Sequence, residues 1–162
     1  MRITTITTDY DENEDRIRMA VAYVDGNARV LWLTRRLAER LVPALIQGLR
    51  APTLDAEAQA TEVQAAQIYA QLEARLSRKP AKPVEVDATA APALVQKINV
   101  KTATNGARVL VLSCHDSEPA ELVLRPGELR QWLEVLNLAF RKGKWREDIW
   151  PAWIQQRKPS KT

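Results

Sequence analysis

One cysteine and one histidine in 162 residues leave this chain short of the side chains on which most nucleophilic and metal chemistry depends. Cys114 alone excludes an internal disulfide and fits a reducing compartment. A single thiol and a single imidazole give no zinc-ligand spacing, so no metal is expected. Glycine is scarce too. Gly26, Gly48, Gly106, Gly127 and Gly143 are scattered, and none stands in a glycine-rich strand-to-helix turn that would cradle phosphate. No cofactor is expected. No apolar run approaches the roughly 20 residues of a membrane span, and Met1-Arg2-Ile3-Thr4-Thr5 lacks the apolar core of a secretion signal. The expectation is a cytoplasmic protein with no membrane partner.

Catalysis by a nucleophile would have to run through Cys114-His115-Asp116, where thiol, imidazole and carboxylate are adjacent in sequence. Neighbours in a strand point to opposite faces, which argues against the side-by-side geometry of nucleophile and base. The plainer reading is a buried cysteine and a turn histidine, with no catalytic residue. Asp9 to Asp15 lacks the ligand spacing and central glycine of a calcium loop and reads as a solvated turn.

What the chain does have is a repeated order of elements. The apolar share of 46% and charged share of 27% are those of a globular protein, and the length suits one domain that buries roughly two-thirds of its unfolded surface. Residues 16 to 23 alternate, with Ile17, Met19, Val21 and Tyr23 on one face, and lead through an Asp25-Gly26-Asn27 turn to Val30-Leu31-Trp32-Leu33. A helix with Leu37, Ala38, Leu41, Leu45 and Leu49 on one stripe follows, capped by Thr34. Arg108 to Cys114, a turn at residues 116 to 119, Glu121 to Leu124 and a helix with Leu129, Trp132, Leu133, Leu136 and Phe140 follow the same path, and Ile17 stands 92 positions before Val109. Two units are too few for a solenoid and suit one pseudo-symmetric domain.

Several local signals sharpen this plan. Ile3, Ile6 and Tyr10 in a threonine-rich stretch predict a half-exposed first strand. Val95, Ile98 and Val100 predict another, and Asn105-Gly106 is a strong hairpin signal. Val109 to Cys114 is apolar at nearly every position and predicts a strand covered on both faces. Pro43 predicts a kink, or two short helices, between Thr34 and Arg50. Pro126 suits a first helical position, and Gly143 a left-handed helix end. Between the halves, a helix is expected from Leu54 to about Arg78 with Thr53 as cap, then a proline- and lysine-rich linker to Ala93. The expected fold class is α+β: two βββα half-repeats, residues 1–50 and 94–143, forming antiparallel sheets packed by helices, with residues 54–78 as a long helical crossover, 79–93 as a linker and 144–162 as a tail.

Three features point to interaction surfaces. Residues 141–162 hold seven basic and two acidic groups, against +4 for the whole chain, so attraction to an acidic partner is focused there. In the same stretch lie Trp145, Trp150 and Trp153, with Lys142, Lys144 and Arg146 between and before them. Folding back onto the domain is the first reading of these indoles. Docking on a protein partner or second subunit through Trp145, Trp150, Trp153 and Arg146 is the next, and stacking on single-stranded nucleic acid follows. Secondly, Leu54, Ala58, Thr61, Ala65, Ile68 and Leu72 are spaced as a narrow seam that would pair with its copy in a homodimer or lie across its own sheet. Thirdly, Arg35, Arg36 and Arg40 cluster on the polar side of the first helix; a solvated face is the ordinary explanation, and joined to Lys142 and Lys144 they would form a nucleic-acid contact.

The order of elements resembles the head domains of eukaryotic DNA end-joining scaffolds and centriole cartwheel proteins. The resemblance rests on the strand, Asp25-Gly26 turn, strand with Trp32 and helix of the first half, and on Leu122-Val123-Leu124 leading into the helix after Gly127. It spans about residues 1 to 140. Those families continue into a long coiled-coil stalk, where this chain has a short tryptophan-rich tail. The resemblance implies a non-catalytic scaffold that works by self-association. An interaction or assembly protein, self-associating as a homodimer, is therefore the expected function; a nucleic-acid-binding accessory protein is the alternative, and an enzyme of unknown type comes third.

Overall fold

The threonine-rich start forms β1 (Ile3–Asp11), which pairs antiparallel with the alternating strand β2 (Arg16–Tyr23), and β2 pairs antiparallel with β3 (Ala28–Leu33). The structure is a computed structural model and describes residues 1–49, 59–115 and 117–155. Ile17, Met19 and Val21 are buried from one face of β2, as their period of two requires. Gly26 makes the turn at φ +88°, and the Asp25 carboxylate accepts from the Asn27 N–H at 2.9 Å. Positive φ is the conformation for which glycine has no Cβ penalty.

Thr34 then caps α1 (Arg35–Gln47), its hydroxyl accepting from the Leu37 N–H at 3.2 Å. Ala38, Leu41, Val42 and Leu45 are its buried stripe. Of the two outcomes expected at Pro43, two short helices do not form: α1 is one helix with Pro43 inside it, exposed to solvent. Next in order is α2 (Ala60–Leu76), starting after an uncapped Gln59. It lies within the span expected for the crossover. Leu54, Ala58 and the Thr53 cap lie outside the described residues, as does Arg50.

The second half runs β4 (Ala93–Thr102), β5 (Arg108–Cys114) and β6 (Ala120–Leu124), all antiparallel, then α3 (Pro126–Gly143). Gly106 makes the β4–β5 hairpin at φ +84°. Leu110 and Leu112 of β5 are buried, while Val109 and Val111 on its other face are half-covered. Pro126 stands at the start of α3, where its missing N–H is one the helix leaves unpaired anyway. The Glu128 carboxylate reaches back to accept from the Arg125 N–H at 2.9 Å.

The six strands form one mixed sheet in sequence order. The two antiparallel halves join through a parallel pairing of β3 with β4, registered at Leu31–Ala93 and Trp32–Leu94. At the outer edges β1 and β6 meet at a single parallel bridge, Arg2–Glu121, where the Glu121 N–H donates to the Met1 carbonyl at 2.9 Å. The sheet therefore curls until its edges touch at one end. Two of the helices cross to the other half: α1 packs against β4 and α3 against β1. Their stripes and the concave sheet share one core.

Past α3 the chain turns back. The left-handed residue is Lys144, at φ +53°, and not Gly143 as the sequence predicts. Gly143 is needed for a different reason. A Cβ there would lie 2.8 Å from Tyr10 Cε2 and 2.9 Å from Trp145 Nε1, inside any normal contact. The short α4 (Ala152–Gln155) ends the described chain.

Candidate interaction surfaces

The crossover helix packs with its polar side inward. Gln71 is only 1% exposed and Gln67 is buried with it, both facing α3 together with Ala74. Arg130 of α3, itself buried, answers them: its guanidinium donates to Gln67 Oε1 at 2.6 Å, while the Gln71 amide donates to the Arg130 carbonyl at 2.9 Å. Gln67 also donates to the Leu49 carbonyl at 2.8 Å, and Gln131 to the Ala74 carbonyl at 2.9 Å. Outside this seam Arg75 holds Glu134 at 2.6 Å. Trp153 closes it from the tail side, its ring 5.3 Å from the Arg130 guanidinium carbon.

The opposite side of α2 is apolar and bare. Leu76 is 77% exposed, Tyr69 69%, and Leu72 is exposed as well. Ala65, Tyr69, Leu72 and Leu76 follow spacings of four, three and four, so they form one ridge. Glu73 and Ser77 join Tyr69, Leu72 and Leu76 around a shallow hollow of about 320 Å³. Of the seam predicted from sequence, Thr61, Ala65 and Leu72 are exposed and Ile68 is half-buried. Single exposed leucines are ordinary; a continuous apolar ridge backed by a hydrogen-bonded polar seam is not.

The tryptophans of the tail turn inward. Trp145 and Trp150 are buried, each packed edge-on against Phe140 with ring centroids 5.2 Å apart. Trp145 also meets Tyr10 edge-on, and its indole donates to Asp15 Oδ1 at 3.0 Å. Trp153 is half-buried. The acidic turn is thus more than solvated surface: Asp15 accepts from the Tyr10 hydroxyl at 2.6 Å as well, and these bonds, Tyr10's first, hold its carboxyl below the ordinary range.

The basic residues of the sequence reading come together in part. Arg35 acts electrostatically on Asp15, and Arg146 on Glu39, so the start of α1 and the turn after α3 are neighbours. Acids are threaded among them. Arg35 pairs with Glu39 at 2.8 Å, Lys142 with Asp9 at 2.9 Å, and Arg146 with Asp148 at 2.6 Å. Arg36, Arg40 and Lys144 are exposed.

Cys114 is half-buried, and burial pushes its thiol up, away from the thiolate that nucleophilic attack needs. Among the described residues no group of three or more histidine, cysteine or carboxylate side chains is placed to hold a metal, and no helix is long and apolar enough to cross a membrane. Comparison with protein-family models, with curated proteins and with solved structures finds no match for this chain.

Proposed function

We propose that this chain is a non-enzymatic assembly protein that self-associates through the outward ridge of α2. The observation that carries the reading is the inverted packing of that helix: glutamines bonded within, Tyr69, Leu72 and Leu76 presented to solvent. A helix stabilised mainly by packing would ordinarily turn its apolar side to the core. Spending the inner contacts on a polar seam frees the apolar side for another surface.

A second copy fits this ridge in antiparallel orientation. The first turn of α2 carries Glu62, and its last turn carries Arg75. Reversing one copy brings each acidic end to a basic end. In the register that sets Tyr69 opposite Leu72 of its copy, Ala65 falls opposite Leu76, a small residue against the most exposed large one. Such self-complementarity is what a two-fold interface requires. The ridge from Ala65 to Leu76 is about 17 Å long, too short to bury the area of a standard stable interface, so the dimer belongs at the weak, micromolar end.

Sedimentation equilibrium of the full chain tests this. The wild type is expected to dimerise in the tens of micromolar, and Tyr69→Glu/Leu76→Glu to stay monomeric with unchanged thermal stability. A monomeric wild type at these concentrations overturns the reading.

A second reading, nucleic-acid contact, is favoured by the nearness of the first turn of α1 to the turn after α3, which sets Arg36, Arg40 and Lys144 on neighbouring elements. The carboxylates of Glu39, Asp148 and Asp9 weaken it. Binding of a single-stranded oligonucleotide that falls steeply with salt would support it, and no binding at low salt would remove it.

A further inference from the structure

Beyond their bridge at Arg2–Glu121, β1 and β6 part, and the space between them is a cleft of about 730 Å³. Its walls have an informative composition. From β1 every residue from Ile3 to Thr8 lines it, and from β6 Leu122, Val123 and Leu124 do. A strand face would contribute every second residue. Consecutive residues mean that the cleft is bounded by two strand edges, whose outward N–H and C=O groups are the ready template for another strand. Trp132 and Val135 of α3 also line it.

One rim is the strap that follows α2. Arg78, Lys79 and Lys82 line the cleft there with Pro80 and Pro83, and the Val84 N–H donates to the Thr7 hydroxyl at 2.8 Å. Proline has no N–H to give a ladder. Among the described backbone bonds none joins this strap to β1. The strap therefore lies beside the edge without using it. Three cations against one lining carboxylate, Glu128, which Arg125 engages at 2.7 Å, make the rim positive.

We propose that this cleft takes up an extended acidic peptide segment, which adds as a strand to the free edge of β1 with its acidic side chains toward Lys79 and Lys82 and its apolar ones toward Trp132 and Val135. The edge from Ile3 to Thr8 is about 20 Å long at strand rise, enough for main-chain bonding to supply affinity while the rim supplies selectivity. The lysines exclude a basic or like-charged strand by repulsion, so the same residues that protect the edge from indiscriminate pairing choose its occupant.

The test is amide NMR of the full chain titrated with a synthetic peptide of about eight residues, long enough to span the edge, in which valine and glutamate alternate. The same peptide with lysine for glutamate, and a single-stranded oligonucleotide, are run beside it. The glutamate peptide is expected to shift the amides of residues 4–8 and 122–124, and Lys79→Glu/Lys82→Glu to weaken it by about tenfold or more while admitting the lysine peptide. Both lysines are exposed, so this variant folds normally. No shift at those amides, equal shifts with both peptides, or shifts with the oligonucleotide alone would each overturn the proposal. Repeating the titration in Tyr69→Glu/Leu76→Glu separates it from dimerisation, which uses a different surface.

Discussion

Arg130 and Gln67 meet across the α2–α3 seam at 2.6 Å, a guanidinium bonded to a neutral amide oxygen inside the protein. Its other neighbours in the seam are Gln71 and the face of Trp153. Burial lowers the pKa of Arg130 from its ordinary value, yet no arginine loses its proton in a protein at neutral pH. Removing it leaves both glutamines short of a partner. Arg130→Ala is therefore expected to cost about 2–4 kcal/mol in urea unfolding, and hydrogen exchange to quicken in α2 more than in α3. Equal protection of the two helices in the variant would show that the seam does not hold α2.

Asp15 gives the fold a pH dependence on both sides of neutrality. Its pKa is lowered in the folded protein, so its contribution to stability is present above the unfolded value and lost as pH falls through the lower folded one. Tyr10 moves the other way. Its hydroxyl donates to Asp15, which pushes its pKa from the ordinary 10.0 to about 12. That contribution is fully present below 10.0 and disappears as pH rises through the folded value. Asp15→Asn keeps a side chain that tolerates the left-handed backbone found here, φ +50°. Phenolate absorbance should then show one tyrosine titrating earlier, back toward 10.0, with stability at neutral pH reduced and the further loss on acidification smaller than in the parent. An unchanged tyrosine titration would mean that the bond does not persist in solution.

The strands and the inward stripes of α1 and α3 were legible because their signals are local. Period two in residues 16–23, Gly26 and Gly106 at hairpin turns, Thr34 as cap and Pro126 at a first turn each act within a few residues, and each appears where the pattern places it. The facing of α2 was not. Its apolar spacing is readable, but which side faces the protein is not, because the partner that turns Gln71 inward is Arg130, 59 positions on. The destination of Trp145 depends on Asp15, 130 positions away. Likewise Gly143 reads as a helix stop until Tyr10 is placed against it. Long-range contacts decide these sites, and a single sequence carries no register for them.

Glycines 143 and 48 make opposite forecasts under the same substitution. At Gly143 a methyl group would press on the Tyr10 and Trp145 rings, both fixed by packing, so Gly143→Ala should cost about 1–3 kcal/mol. At Gly48 it would meet the guanidinium of Arg108, the far end of a flexible side chain, at an ordinary negative φ. Gly48→Ala should therefore fall within about 0.5 kcal/mol of the parent. Thermal unfolding of the two variants side by side decides the matter; comparable losses would show that Tyr10 and Trp145 yield as readily as Arg108.

Trp145 and Trp150 flank Phe140 at the same centroid distance, yet their indole nitrogens differ. The Trp145 nitrogen donates to Asp15, whereas that of Trp150 is buried with no partner among the described residues. Replacing either by alanine removes a core aromatic and should cost about 3–5 kcal/mol. Phenylalanine separates the two. Trp145→Phe loses ring area and a hydrogen bond, leaving Asp15 with one donor fewer. Trp150→Phe loses the same area but also an unsatisfied donor whose burial was itself unfavourable. Trp145→Phe should thus be the more destabilising by about 1–2 kcal/mol, measured by urea unfolding. The reverse order would require a partner for the Trp150 nitrogen in solution, and would move attention to the small polar hollow beside it, where Asn137, Arg141 and Gln155 meet.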